Sequence, residues 1–138
     1  MRILGVDLGR SRTGLALSDP LGLTCSPLEV LEERNEERLL QKIVQVAEEN
    51  EVARIVVGMP RPLAGGTNPQ SEEITLLAEA LGRRSPVSVV TWDERFTSKL
   101  AERGEVKGKA KGRPRDSVAA CHMLQSYLDS QASRRRDI

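Results

Sequence analysis

Four carboxylates occupy positions where chemistry can use them. Asp7 ends the apolar run Ile3-Leu4-Gly5-Val6 and precedes Gly9. Asp93 and Glu94 follow a second such run, Val87 to Trp92, and Asp116 opens an amphipathic stretch near the end of the chain. A carboxylate at the exit of a buried strand costs several kcal/mol unless something positive compensates it. Asp7 therefore either accepts backbone N–H bonds in a turn or holds a cation. Each of the others also has a plain structural reading: Asp116 as a helix N-cap, Glu94 as an ion-pair partner of Arg95 or of a loop lysine, Asp93 as a local hydrogen-bonding residue.

Taken together they suggest more. In a sheet whose central strands are parallel, the carboxyl ends of the strands share one edge, where sites form. Carboxylates gathered there repel unless a hard cation sits among them, and Mg²⁺ and Mn²⁺ suit oxygen ligands. Two such ions about 4 Å apart can hold both the attacking and the leaving oxygen of a phosphodiester displacement. Asp7, Glu94 and Asp116 are thus the candidate catalytic and metal-holding residues. His122 is the sole histidine of the sequence, so no Ser/His/Asp or Cys/His set competes and no zinc cluster is available.

The formal net charge of +1 conceals an asymmetry. Glu29 to Glu51 is acidic, whereas Lys107, Lys109, Lys111, Arg113 and Arg115 alternate with glycine, alanine and proline and run into Asp116. Arg10 and Arg12 flank Asp7, and Arg95 follows Glu94. A basic loop alone often marks a solvated surface. Beside a carboxylate cluster it suits a phosphate backbone, so these eight residues are the candidate nucleic-acid contacts. With one Trp, one Phe and one Tyr, a base-stacking platform is not expected.

The elements that must position these residues follow from periodicity. Ile3 to Val6 and Thr13 to Leu17 read as strands joined by a tight turn, and roughly Ser26 to Leu31 as a third in an antiparallel meander. Asn35 caps a helix with the apolar stripe Leu39, Leu40, Ile43, Val46 and Ala47. Arg54 to Gly58 is a fourth strand, and the proline- and glycine-rich stretch Met59 to Gln70 a loop. A second helix from about Ser71 to Leu81 stops at Gly82. Val87 to Trp92 is the fifth strand, Phe96 to Arg103 a short helix, and Asp116 to Ser130 the last helix, with Ala120, Met123, Leu124 and Tyr127 inward and His122 exposed. Residues 1–138 are expected to form one domain with a frayed tail from 131. Cys25 and Cys121 read as the reduced thiols of a cytoplasmic protein, with no signal peptide or membrane span.

Four motifs in order resemble the YqgF family. They are Gly5-Val6-Asp7-Leu8-Gly9 with Thr13-Gly14-Leu15-Ala16; Val57-Gly58-Met59-Pro60 continuing to Gly66 and Gln70; Asp93-Glu94-Arg95-Phe96-Thr97-Ser98; and Asp116-Ser117-Val118-Ala119-Ala120 with Leu124-Gln125-Ser126-Tyr127-Leu128. The match covers nearly the whole chain. Members are bacterial proteins known as Holliday-junction resolvases and as pre-16S ribosomal RNA nucleases. The resemblance implies an α/β, RNase H-like fold: a five-stranded mixed sheet flanked by helices in the order β-β-β-α-β-α-β-α. It also implies a divalent-metal site, Mg²⁺ or Mn²⁺, whose acids map to Asp7, Glu94 and Asp116. Ser117 follows Asp116 and no acid lies one turn on, so the fourth carboxylate of related resolvases has no counterpart.

The resemblance implies a metal-dependent nuclease acting on the 5′ end of precursor 16S ribosomal RNA, on ribosomal precursor particles, or on a branched DNA junction. Symmetric junction cleavage asks for a homodimer and end trimming for a monomer. A non-catalytic nucleic-acid-binding module is the alternative, disfavoured by the presence of all three acids. Asp7-Leu8-Gly9 with Gly14 also looks like a phosphate motif of actin-like ATPases, but those need two such domains and 138 residues hold one.

Overall fold

In the computed structural model, residues 1–60, 66, 68–96 and 115–136 are described. The chain runs β1 (Ile3–Asp7), β2 (Arg12–Ser18), β3 (Cys25–Glu32), α1 (Glu36–Glu49), β4 (Arg54–Met59), α2 (Pro69–Arg84), β5 (Ser88–Asp93), a 3-10 turn (Glu94–Phe96) and α3 (Arg115–Arg136). The strands form one sheet in the order β3-β2-β1-β4-β5. β1, β2 and β3 pair antiparallel, while β1–β4 and β4–β5 pair parallel. This is the α/β, RNase H-like architecture that the family resemblance implies.

Strand side chains alternate between two cores, as the period of a strand requires. Leu4, Val6, Leu15, Ile55 and Val57 face α1 and α2, which bury Leu40, Ile43, Ile74 and Leu81 against them. Ile3, Ala16 and Val56 face α3, which buries Ala120, Met123, Leu124 and Tyr127. The stripes of α1 and α3 are those that the periodicity predicts. By the same alternation, Asp7 shares the α3 face with Ile3 and Gly5.

A glycine sets how closely α3 lies on the sheet. A Cβ on Gly5 would fall 2.8 Å from Leu124 Cβ, so only a residue without that atom lets the helix sit where it does. Leu124 lies over Gly5, and three residues on the Tyr127 hydroxyl accepts a hydrogen bond from the guanidinium of Arg54, the partner of Ile3 in the ladder. α3 thus packs across the sheet, with Leu124 over the middle of β1 and Tyr127 beside Arg54 of β4.

Several expectations are corrected. α2 begins at Pro69, because Asn68 and Ser71 form a reciprocal capping box and proline suits the first helical turn. It passes Gly82 and ends at Arg84, its last-turn arginines complementing the helix dipole. α3 continues to Arg136, six residues past its predicted end at Ser130. His122, expected to be exposed, is buried at 6 % exposure and lines one cavity with Trp92 and Phe96. The three aromatics form one cluster, with Trp92–Phe96 and Trp92–Tyr127 centroids at 5.3 and 5.6 Å. The helix expected from Phe96 to Arg103 lies, beyond Phe96, outside the described residues. No helix among the described residues is long and apolar enough to cross a membrane.

Candidate active site

Two of the predicted carboxylates meet at the carboxyl edge of the sheet. Asp7, half-buried, is the last residue of β1. Gly9 keeps the turn after it tight, since a Cβ there would fall 2.2 Å from the Arg12 carbonyl oxygen. Glu94, also half-buried, is the first residue after β5. The two strands are not neighbours; β4 lies between them. Gly58, in β4, closes that gap. A Cβ on Gly58 would fall 2.8 Å from Glu94 Oε1 and 3.1 Å from Met123 Cγ, so the carboxylate of Glu94 lies across bare backbone toward Asp7.

Asp93 anchors the same turn and does something different from Glu94. Its carboxylate accepts the backbone N–H of Arg95 at 2.9 Å and pairs with the Arg95 guanidinium at 2.7 Å. The ion pair that Glu94 was a candidate for is thus made by its neighbour, and Glu94 is left to cross the sheet. Burial pushes the Glu94 carboxyl up to about 7; the charge of Asp7, a hydrogen bond with Asp7 and the charge of Asp93 add to it. Near neutral pH the Asp7–Glu94 pair therefore holds a shared proton for part of the time.

Asp116 is placed by its backbone alone, in the first turn of α3. Among the described residues no group of three His, Cys, Asp or Glu side chains gathers in metal-holding geometry. The donor set itself is oxygen only: two carboxylates pressed together at a cost visible in the raised Glu94. That is the composition a hard divalent cation fits.

The basic candidates divide. Arg10 lines a cavity of about 340 Å³ between the β1–β2 turn and the start of α2, with Leu8, Gln70, Glu73 and Leu77 among the walls. Arg12 stands 3.7 Å from Glu32 on an exposed strand end, and Arg95 is held by Asp93. Lys107, Lys109, Lys111 and Arg113 lie outside the described residues, and Arg115 is the first residue of α3. Gly58 is the position beside the carboxylates that residue-by-residue reasoning passes over. Its signal was a glycine inside a buried strand, which marks a close approach.

Comparisons with known proteins show the family and the fold. The family model described as "RuvX: Holliday junction resolvase" matches residues 1–130. A protein of Desulforudis audaxviator is 39% identical, over 98% of this chain and 99% of its own length. One of Symbiobacterium thermophilum is 40% identical over 97% and 96%. Both carry the name "Putative pre-16S rRNA nuclease". Among solved structures, RuvC of T. thermophilus in complex with Holliday junction substrate superposes with a TM-score of 0.70 at 14% identity, covering 96% of each chain. The fowlpox virus resolvase with substrate Holliday junction DNA gives a TM-score of 0.59 at 13% identity, covering 95% of this chain and 99% of that one.

Proposed function

The chain belongs to the RuvX family, and from that premise we propose that it is a divalent-metal-dependent nuclease that hydrolyses phosphodiester bonds in the maturation of precursor 16S ribosomal RNA. The observation that carries the reading is the Asp7–Glu94 carboxylate pair, drawn together over Gly58 at the carboxyl edge of the sheet.

Asp7, Glu94 and Asp116 would hold Mg²⁺ or Mn²⁺. When bound there, the ion supplies positive charge against the negative charge that builds on the phosphate during displacement. Glu94 would share in holding the ion or orient the attacking water beside it. Asp7, in hydrogen-bond contact with it, fixes where that carboxyl points. Arg10 beside the turn, with the basic run from Lys107 to Arg115, supplies the phosphate contacts that position the strand.

Resolution of a four-way DNA junction is the second reading, favoured by the description of the family model. Incubation of the pure protein with 5′-extended 16S precursor RNA and with a matched four-way DNA junction, in Mg²⁺ or Mn²⁺, distinguishes them. Preferential RNA cleavage by a monomer supports the first reading, and symmetric junction cleavage by a dimer the second. Cleavage of neither substrate, or equal cleavage by Asp7→Asn, overturns the nuclease assignment.

A further inference from the structure

The two cysteines stand 96 positions apart in sequence, yet their sulfurs meet. Cys25 opens β3, the free edge strand of the sheet, and is half-exposed. Cys121 lies in the second turn of α3 and is buried. Their Sγ atoms are 3.2 Å apart. The Cys25 thiol donates toward the Cys121 carbonyl oxygen at 3.1 Å, and Cys121 Sγ faces the Cys25 carbonyl oxygen at 3.6 Å.

Nothing in the carboxylate site uses this pair. Cys25 is the ladder partner of Ser18, whose hydroxyl accepts the N–H of Ile3, so the thiols sit at the amino end of β1, opposite Asp7. Their side chains already converge from two elements that share a packed face. A disulfide holds its sulfurs about 2.05 Å apart, so closing the bond asks for roughly an ångström of side-chain movement. Both cysteines are free thiols, and the hydrogen bond to Cys121 together with burial holds the Cys25 thiol above its usual range.

We propose that Cys25 and Cys121 are an intramolecular disulfide site, oxidised within the folded protein by a low-molecular-weight disulfide. Cys25, the more exposed of the two, gives up its proton and attacks one sulfur of the small disulfide. A mixed disulfide forms and one small thiolate leaves, taking up a proton. The Cys121 sulfur, deprotonated in turn, displaces the second small thiolate from Cys25. Two protein thiols are oxidised and one small disulfide is reduced to two thiols, with no other reactant. The product ties the edge strand β3 to α3. Joining residues so far apart in sequence restricts the unfolded chain strongly, so the oxidised protein is the more heat-stable form.

The full-length protein is held under native conditions with excess oxidised glutathione or with dithiothreitol, then denatured and alkylated. The oxidised sample should lose two hydrogens in intact mass and take up no alkyl group. Its peptide map should join the Cys25 and Cys121 peptides. Its melting midpoint should rise by about 10 °C over the reduced protein, whereas Cys25→Ser and Cys25→Ala should show no oxidant-dependent rise. The wild-type pair of samples carries the result even if a variant folds poorly. Thiols that stay free, a lasting glutathione adduct, a disulfide-linked dimer, a bond that forms only in denaturant, or a lowered midpoint would each overturn the proposal.

Discussion

Replacing Asp7 by Asn separates a metal-holding carboxylate from a turn cap without any substrate. In the metal-free protein, Glu94 is pushed from 4.5 to about 7, with burial first, then Asp7, then Asp93 as the causes. The charge of Asp7 ranks after burial among those causes, and solvent screening of a half-buried pair holds its repulsion to about 1 kcal/mol. The sign follows from proton counting. Between 4.5 and 7 the folded state binds the Glu94 proton more tightly than the unfolded state does, so metal-free stability falls as pH rises through that window. At pH 5 wild type and Asp7→Asn should therefore melt alike in EDTA. At pH 8, where both carboxylates are charged, the mutant should melt about 3 °C higher. A cation that binds only the folded state stabilises by about 2.7 kcal/mol at a hundredfold excess over its dissociation constant. Mn²⁺ should then raise the wild-type midpoint by roughly 8 °C and move the mutant far less. A turn cap predicts the reverse: loss of the charged acceptor costs about 1 kcal/mol, and Mn²⁺ acts on neither protein. Differential scanning fluorimetry at the two pH values decides; a mutant that melts lower at pH 8, beside a wild type indifferent to Mn²⁺, refutes the carboxylate cluster.

Gly58→Ala should lower the cleavage rate at least tenfold, because the new Cβ displaces Glu94 Oε1 and crowds Met123; single-turnover kinetics beside a thermal melt separate this from general unfolding. Gly5→Ala should instead cost stability, about 1–3 kcal/mol by overpacking against Leu124, read as a lower urea midpoint. Changing Lys107, Lys109 and Lys111 together to Ala should reduce the log–log salt slope of nucleic-acid binding by roughly 0.7 to 0.9 per lost phosphate contact, and filter binding across salt concentrations that shows an unchanged slope excludes contact by this run. Asn68→Ala should remove one half of the α2 capping box and destabilise by about 1 kcal/mol, measured by chemical denaturation.

The strands and the apolar faces of α1 and α3 were legible because each is written in the spacing of its own residues. Leu39, Leu40, Ile43, Val46 and Ala47 state their stripe without outside help, and all are buried. The failures share one cause, a local signal read without its partner. Pro69 looked like a loop breaker until Asn68 and Ser71 were seen to cap each other in front of it. His122 lies off the stripe of α3, yet it is buried beside the cavity that Trp92 and Phe96 line from another part of the chain. The cysteines meet for the same non-local reason. The site shows the limit most sharply. Asp93 and Glu94 are adjacent acids, and no local property says which one turns back to Arg95 and which crosses toward Asp7. The parallel β1–β4–β5 ladder decides, because it sets Gly58 beside Trp92 and leaves a bare stretch of backbone where the longer Glu94 side chain can lie. The glycine therefore belongs to the site as much as the carboxylates do: without that gap, Asp7 and Glu94 would end neighbouring regions of the sheet and never share a proton.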